Sequence, residues 1–156
     1  MDLSASRRLT TILAADVVGF SRLVAANEEE TLARMAEIRA AFEEIIRQHR
    51  GRVFNTAGDA IRAEFQSAIE AVRCAALLQE KAAEIGADDA TDRRIRFRIG
   101  IALGDVVDNN GDLLGEGVTL AERLEAMAPT GGLCIARSVH DAVAGKTPIP
   151  FAEIDG

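Results

Sequence analysis

A ten-residue, largely apolar run with one acidic residue near its end is the feature that most limits how this chain can fold. The run Leu9–Val18 reads LTTILAADVV, and Asp16 is its only charged residue. A run of this kind, followed by the breakers Gly19 and Ser21, predicts a buried β-strand. A carboxylate in such a strand is costly to bury unless it is paired or binds a metal ion. Asp16 is therefore a candidate functional residue, although an acid that merely caps the next turn would occupy the same position.

Two longer segments have the periodicity of amphipathic helices. The first follows Asn27, a favourable N-cap residue, and three glutamates occupy its first turn, where the helix dipole favours negative charge. Gly51 stands where a C-cap glycine is expected. The second predicted helix extends from Ser67 to Gly86. The predicted apolar faces comprise Leu32, Met35, Ile38, Phe42, Ile45 and His49 in the first helix and Ala68, Val72, Ala75, Leu78, Ala82 and Ile85 in the second.

The remaining elements are shorter, and several of them are predicted strands. Arg52–Asn55 and Ala60–Phe65 flank a Gly-Asp turn and predict a β-hairpin. Residues 87–92 are polar and predict a loop, whereas Arg94–Ile101 alternates basic and apolar residues as a strand does. After a turn at 109–111, the pattern predicts a helix at Gly115–Met127, a strand at Leu133–Ala136, a helix at Ser138–Val143 and a strand at Ile149–Ile154.

The order of these elements predicts an α+β fold of the ferredoxin-like kind, with helices packed on an antiparallel sheet. The 156 residues fit one domain with its own core, and neither a linker nor a repeat divides them. Hydrophobic residues make up 48% of the chain and charged residues 28%, which is typical of a globular protein.

Composition excludes several classes of function. A net charge of −7 argues against a general binder of nucleic acids or anionic membranes, and the lack of Tyr and Trp removes most stacking platforms for single strands. The basic stripe of Arg94, Arg96 and Arg98 is therefore read as a solvated or interface face. Cys74 and Cys134 are too few for a disulfide framework or a thiolate zinc site, which favours a reduced cytoplasmic setting. No apolar run predicts a signal peptide or a membrane span.

Asp59, at the tip of the predicted hairpin, is the second candidate residue. A strand end and a hairpin tip can meet at one edge of an antiparallel sheet, which would bring Asp16 and Asp59 together. Two carboxylates beside the backbone N–H groups that follow Gly19 would suit Mg²⁺ or Mn²⁺, as in two-metal phosphoryl chemistry. Taken alone, Asp59 is also an ordinary turn residue.

Three blocks resemble the signature motifs of class III adenylyl/guanylyl cyclase catalytic domains. They are Asp16–Ser21, Asn55–Asp59 and Asp112–Arg123, in the family's order and spacing. The segments Arg98–Ile101 and Gly104–Val107 also resemble the family's central strand. The resemblance extends over nearly the whole chain and is greatest to the bacterial type that is often joined to regulatory domains.

The resemblance implies that Asp16 and Asp59 bind two Mg²⁺ or Mn²⁺ ions, with the Val17 carbonyl as a further ligand. It implies that the triphosphate of ATP, or of GTP, is held by the loop of Val18, Gly19, Phe20 and Ser21. The nucleotide's 3′-hydroxyl, activated by one ion, would attack the α-phosphorus and release pyrophosphate, which leaves a 3′,5′-cyclic nucleotide.

The resemblance also assigns roles to the third block and implies a homodimer. Arg123 would stabilise charge in the transition state, and Asp112 would accept a hydrogen bond from the adenine amine. In the family one subunit supplies the metal-binding acids and the other supplies these residues. The chain contains both sets, so a symmetric dimer with two equivalent sites follows, in which Asn55 and Asp59 serve different sites.

Three departures from the family temper this expectation. Asn55 replaces a lysine that reads the purine, which leaves the choice between ATP and GTP open. Thr119 replaces an asparagine that positions the ribose, which predicts slow turnover. The family's domain continues with a hairpin carrying a phosphate-binding Lys or Arg, so residues 1–156 are expected to form a single catalytic domain without that hairpin. The alternative is a non-catalytic module that binds nucleotide, or only dimerises, and regulates a partner domain. The retained acids and Arg123 favour an adenylate cyclase.

Overall fold

A six-stranded sheet forms the centre of the computed structural model, which describes residues 7–154. Residues 1–6 and 155–156, which the predicted domain includes, lie outside the described residues. The elements in chain order are β1 (Arg7–Val17), α1 (Phe20–Ala26), α2 (Glu28–Gln48), β2 (Gly51–Ala57), β3 (Ala60–Phe65), α3 (Ala68–Ile85), β4 (Phe97–Asn109), β5 (Asp112–Leu114), α4 (Glu116–Met127), β6 (Leu133–Ile135) and α5 (Arg137–Val143).

The strand order is β2-β3-β1-β4-β5, and β6 pairs with the first part of β4. The pairings along β2-β3-β1-β4-β5 are antiparallel, whereas β6 runs parallel to β4. Helices pack on the sheet, and the spatial order β2-β3-β1-β4 is that of the ferredoxin-like fold, so the predicted fold class is confirmed.

Within residues 7–154, no helix combines the length and apolar character that crossing a membrane requires.

The central strand β1 is buried on both faces, which explains why its sequence is a nearly continuous apolar run. Successive side chains of a strand point to opposite faces. Leu13, Ala15 and Val17 belong to the main core, which α2, α3 and α5 also form. Ile12 and Ala14 belong to a second, smaller core under α4. By the same alternation Asp16 lies on the α4 face of the sheet.

Helix α4 packs backbone against backbone on β4. A Cβ atom on Gly100 would lie 2.2 Å from the Glu125 nitrogen and 2.3 Å from the Ala121 oxygen. A Cβ atom on Gly104 would lie 2.7 Å from the Cα atom of Gly117. We call Gly100, Gly104 and Gly117 the glycine contact. Any side chain at Gly100 would push the helix off the sheet.

The predicted C-cap at Gly51 is wrong. Helix α2 ends at Gln48, and Arg50 adopts the left-handed conformation with φ 62°. Gly51 instead begins β2, where a Cβ atom would lie 2.5 Å from the ring of Phe65. The glycine is therefore needed for close packing. The apolar face of α2 also differs from the prediction, because Leu32 is 47% exposed while Thr31 and Ile46 are buried.

Two predicted strands differ from the structure. The strand predicted at Arg94–Ile101 begins only at Phe97 and continues to Asn109, because its partner β1 reaches Val17 opposite Phe97 and extends back to Arg7 opposite Val107. The Arg94 side chain instead donates to two carbonyls of the preceding loop. The strand predicted at Ile149–Ile154 does not form. Pro148, just before this segment, and Pro150 within it lack the N–H groups that a ladder needs. Ile149 and Phe151 instead pack against the main core.

A buried carboxylate ties β1, β2 and β3 together away from the candidate site. Glu64 accepts hydrogen bonds from Arg8, Arg52 and the hydroxyl of Thr10. Burial acts to raise the pKa of Glu64, but the hydrogen bonds from the two guanidinium groups outweigh it and lower that pKa to about 2. The ionised form of Glu64 therefore stabilises the fold.

Glu64→Gln is expected to lower the free energy of unfolding at pH 7 by about 2 kcal/mol, a value discounted because both guanidinium groups are partly exposed to solvent. The folded pKa lies below the ordinary value of 4.5, so the wild-type stabilisation is complete above pH 4.5 and is lost as the pH falls towards 2. Urea unfolding at pH 7 and pH 3 measures both effects. Glu44 forms an exposed ion pair with Arg47 and offers the control. Glu44→Gln should leave the free energy of unfolding unchanged at both pH values.

Candidate active site

The structure brings Asp16 and Asp59 together at one edge of the sheet. Asp16 lies at the end of β1, and Asp59 lies in the turn between β2 and β3. The antiparallel pairing of β1 with β3 places that turn beside the end of β1. The Val17 N–H donates a hydrogen bond of 3.0 Å to Oδ2 of Asp59, so the Val17 backbone joins the two acids. We call Asp16 and Asp59 the acid pair.

The acid pair fits a hard divalent cation that is bound together with a phosphate. Oδ1 of Asp16 is buried and has no hydrogen-bond partner in the described part of the chain, which is a costly arrangement for a carboxylate without a cation. Among residues 7–154, no three His, Cys, Asp or Glu side chains are grouped so as to hold an ion alone. Mg²⁺ is commonly held by one or two carboxylates, with water and substrate phosphates completing its shell.

Two further charged residues adjoin Asp16, and the sequence did not single them out. Glu125 of α4 is only 7% exposed, and its carboxyl lies within hydrogen-bonding reach of Asp16. Burial, with the neighbouring Asp16 as the second cause, raises the pKa of Glu125. Arg98 pairs with Asp16 across β1 and β4, and its buried Nε has no partner among residues 7–154.

These two residues correct the sequence analysis. Arg98 is half-buried beside Asp16, so the basic stripe is not a fully solvated face at this position, and the alternative of an interface face stays a prediction. Glu125 is buried, whereas Glu122 and Arg123 of the same helix are exposed. The spacing of Val118, Ala121 and Glu125 could have placed Glu125 on the buried face, because these residues recur at three and four positions.

The predicted phosphate loop is the turn from β1 into α1. Gly19 has a positive φ of 65°, a conformation that glycine adopts readily, and it caps the seven-residue helix that begins at Phe20. The Val18 N–H already donates to the carbonyl of Arg96, so Val18 does not offer this group to a phosphate. Gly19 and Ser21 are exposed, whereas Phe20 packs partly against the main core.

Asn55 and Asp112 also meet, although β2 and β5 stand at opposite ends of the strand order. Nδ2 of Asn55 lies 3.3 Å from Oδ2 of Asp112, and Arg52 donates to the Gly111 carbonyl at 3.0 Å. The β4–β5 hairpin therefore curls back towards β2. Oδ1 of Asp112 accepts a hydrogen bond from the Leu113 N–H at 2.8 Å. We call Asn55 and Asp112 the amide–acid pair.

Thr119 and Arg123 are four residues apart and share the exposed side of α4. The Thr119 hydroxyl donates to the carbonyl of Gly115 at 3.2 Å. Arg123 has no ion-pair or hydrogen-bond partner in the described segment 7–154. Side chains two residues apart on a helix point about 200° away from each other, so Arg123 faces away from Glu125 and from the Asp16 of its own chain.

The family model described as "Adenylate and Guanylate cyclase catalytic domain" matches residues 4–153. That interval includes the acid pair, the amide–acid pair, Thr119 and Arg123.

Individual relatives agree with the family model. "Putative adenylate cyclase 3" of Rhizobium meliloti (strain 1021) is 44% identical over 96% of this chain, and an adenylate cyclase of Streptomyces coelicolor is 33% identical over 89%. The chain spans 26% and 35% of the lengths of these two relatives. A crystal structure titled as an adenylate/guanylate cyclase/hydrolase from Silicibacter pomeroyi has a TM-score of 0.86 and 37% identity, over 95% of this chain and 86% of that one.

Proposed function

Because the chain belongs to the adenylate and guanylate cyclase catalytic domain family, we propose that it converts ATP into 3′,5′-cyclic AMP and pyrophosphate. The observation that carries this proposal is the acid pair, in which a buried and unpartnered oxygen of Asp16 lies beside Asp59. A domain that served only as a scaffold would gain nothing from an acid in this position.

In this proposal Asp16, Asp59 and the carbonyl of Val17 hold two Mg²⁺ or Mn²⁺ ions. When bound, the ions supply Lewis-acid activation of the 3′-hydroxyl and neutralise charge on the triphosphate. Gly19, Phe20 and Ser21 bind the phosphates through the turn that begins α1. The 3′-oxygen gives up its proton to solvent and forms the new bond to the α-phosphorus, while the bond from the α-phosphorus to the oxygen that bridges it to the β-phosphorus breaks and pyrophosphate leaves.

The other half of the reaction is assigned to α4 of a second copy of the chain. Arg123 stabilises the charge that develops on the phosphates, and Thr119 contacts the ribose. A homodimer is supported by the geometry of α4, because Arg123 faces away from Glu125, which contacts the Asp16 of its own chain. Two copies related by a two-fold axis would each complete the other's site.

ATP is the proposed substrate, although the family name covers both nucleotides. Asp112 offers a carboxylate that can accept from the exocyclic amine of adenine. The two relatives described above are named as adenylate cyclases. Since the chain spans about a third of their length or less, further regulatory domains are part of the proposal. We place the reaction in the cytoplasm, where ATP is available and the buried thiols of Cys74 and Cys134 stay reduced.

The direct test is incubation of the purified protein with Mn²⁺ and either ATP or GTP, followed by chromatographic identification of the products. We expect equal amounts of cyclic AMP and pyrophosphate from ATP, and slower formation of cyclic GMP. Hydrolysis to a diphosphate or monophosphate, or binding of ATP without any cyclic product, would contradict the proposal.

A non-catalytic nucleotide-binding module is the second candidate function, and one observation favours it. The Thr119 hydroxyl is already bonded to the Gly115 carbonyl of its own helix, and a threonine reaches less far than the asparagine typical of the family. Binding of ATP without turnover would support this alternative.

Thr119→Asn is expected to raise kcat by about a hundredfold with little change in KM, which is the lower end of the roughly 10²–10³ in rate that one such group contributes. The reason is that the longer amide reaches the ribose while the acid pair stays in place. Thr119→Val, which keeps the shape but removes the hydroxyl, is the control and should remain slow. Initial rates of cyclic AMP formation measure both variants, and equal rates for both would show that position 119 does not contact the ribose.

A further inference from the structure

Arg62 on β3 contacts the amide of Asn55 and links it to helix α4. Arg62 pairs with Asn55 in the register of β2 and β3. Its Nη1 lies 3.4 Å from Oδ1 of Asn55, and its Nη2 lies 2.9 Å from Oε2 of Glu122. The side chain of Arg62 is 24% exposed, so water covers only a small part of it.

Two neighbours fix the same orientation of the Asn55 amide. A guanidinium group has only donors, so it can contact only the carbonyl oxygen of the amide. An ionised carboxylate has only acceptors, so Asp112 can contact only the NH₂ group. With Oδ1 directed to Arg62 and Nδ2 directed to Asp112, the amide has one N–H left for a ligand.

We propose that Arg62 makes this site select adenine over guanine by holding the Asn55 amide with its NH₂ group available to the base. The inference rests on the proposed function, in which the amide–acid pair contacts the purine. Adenine has an acceptor at N1 beside a donor amine, which complements the N–H of Asn55 and the carboxylate of Asp112. Guanine has an N–H at N1 beside a carbonyl oxygen, so a donor would face a donor and an acceptor would face an acceptor.

The fixed orientation of the Asn55 amide explains why an asparagine can replace a lysine at this position. A free asparagine could turn its amide and accept from the N1–H of guanine. Arg62 opposes that rotation, because the rotated NH₂ group would face the guanidinium. Arg62 is thus a positioning residue that acts through Asn55, and Glu122 holds Arg62 from the other side.

The test compares kcat/KM for ATP and for GTP in the wild type, Arg62→Leu, Asn55→Ala and the double variant. We expect Arg62→Leu to lower the ATP-to-GTP ratio about tenfold, mainly through faster use of GTP, which corresponds to one hydrogen bond. In the Asn55→Ala background the same change should leave the ratio unaltered. Arg73→Leu is the matched control, because Arg73 of α3 donates to the Lys146 carbonyl and its loss should keep the wild-type ratio.

A parallel measurement separates this inference from the proposed activity. Calorimetry gives the affinities of 3′-deoxy-ATP and 3′-deoxy-GTP, which cannot cyclise. If the wild type forms no cyclic nucleotide but prefers 3′-deoxy-ATP, and Arg62→Leu removes that preference, the catalytic proposal fails while the role of Arg62 stands.

Three results would overturn the inference. The first is a wild type that cyclises ATP together with an Arg62→Leu variant whose ATP-to-GTP ratio of kcat/KM stays within twofold of the wild-type ratio. The Arg62→Leu effect could persist without Asn55, in which case Arg62 does not act through the amide. The wild type could bind and use both nucleotides equally. A purely structural role of Arg62 would change both nucleotides alike and leave the ratio constant.

Discussion

Asp16→Asn is expected to lower kcat for ATP by more than about a thousandfold while leaving the fold at least as stable as the wild type. The activity falls because the amide cannot replace the charge that the proposed ions require. Stability is maintained or rises because Oδ1 of wild-type Asp16 is buried without a hydrogen-bond partner among residues 7–154 and the carboxylate lies beside Glu125. The introduced amide carries no charge and can donate to Glu125, so it removes the cost of placing two carboxyl groups side by side, which is expressed in the raised pKa of Glu125.

Three measurements together test this prediction. Cyclic AMP formation gives the activity, urea unfolding in the presence of a chelator gives the stability, and a paramagnetic resonance titration gives Mn²⁺ binding with ATP present. Asp141→Asn, at an exposed position of α5, is the control and should leave all three unchanged. An Asp16→Asn protein that keeps its activity, or that loses stability together with activity, would show that Asp16 has a structural role instead.

Mixing two inactive variants is expected to restore activity, which is the second large effect. Arg123→Ala should lower kcat by about a hundredfold to a thousandfold, because it removes one group that stabilises the transition state. Co-expression of Asp16→Asn with Arg123→Ala should then recover about one quarter of the wild-type activity. Half of the dimers formed at random contain one copy of each variant. In such a dimer one site has both Asp16 and Arg123 intact, and the other site has both substitutions.

Tandem purification through a different tag on each variant isolates the mixed dimer. Its expected activity is about half that of the wild-type dimer, since one of its two sites is intact. Homodimers of each variant, purified in the same way, supply the baseline. A mixed dimer no more active than those baselines would mean that Asp16 and Arg123 of one subunit serve the same site.

The positions of Asp16 and Asp59 were predicted most fully, because local sequence patterns encode them. Asp16 interrupts an apolar strand, and Asp59 follows a glycine at a hairpin tip. The antiparallel order of the elements suffices to bring such positions to one edge of the sheet. The fold class followed from the same order of elements. For Asp16, Asp59 and Arg123 the structure adds a location, and their roles stay predictions until the variants are measured.

The contacts that depend on sheet curvature could not be predicted from the sequence. Asn55 and Asp112 meet only because the β4–β5 hairpin curls back towards β2, and no local pattern encodes that bend. The contact of Arg62 with Asn55 depends on the register of β2 and β3, which includes an irregularity between Val53 and Asn55. Glu125 was overlooked because it stands among exposed charges in the sequence, and only the packing of α4 shows that it is buried.

Local rules failed where tertiary packing replaced them. Gly51 has the position of a helix cap, but the structure uses it to admit the ring of Phe65. The segment Ile149–Ile154 contains residue types common in strands, but it does not join the sheet, and Ile149 and Phe151 pack against the core instead. In both cases the residue type was a correct signal of close packing and an incorrect signal of secondary structure.

The glycine contact makes the outer surface of α4 a favourable place for evolutionary or engineered change. Because Gly100, Gly104 and Gly117 seat the helix backbone directly on β4, its position does not depend on the side chains that point outward. Thr119, Glu122 and Arg123 can therefore be exchanged one at a time without shifting the helix. If the proposed roles hold, rate and base preference can be adjusted separately on this surface, whereas a larger residue at Gly100 or Gly104 would displace the helix.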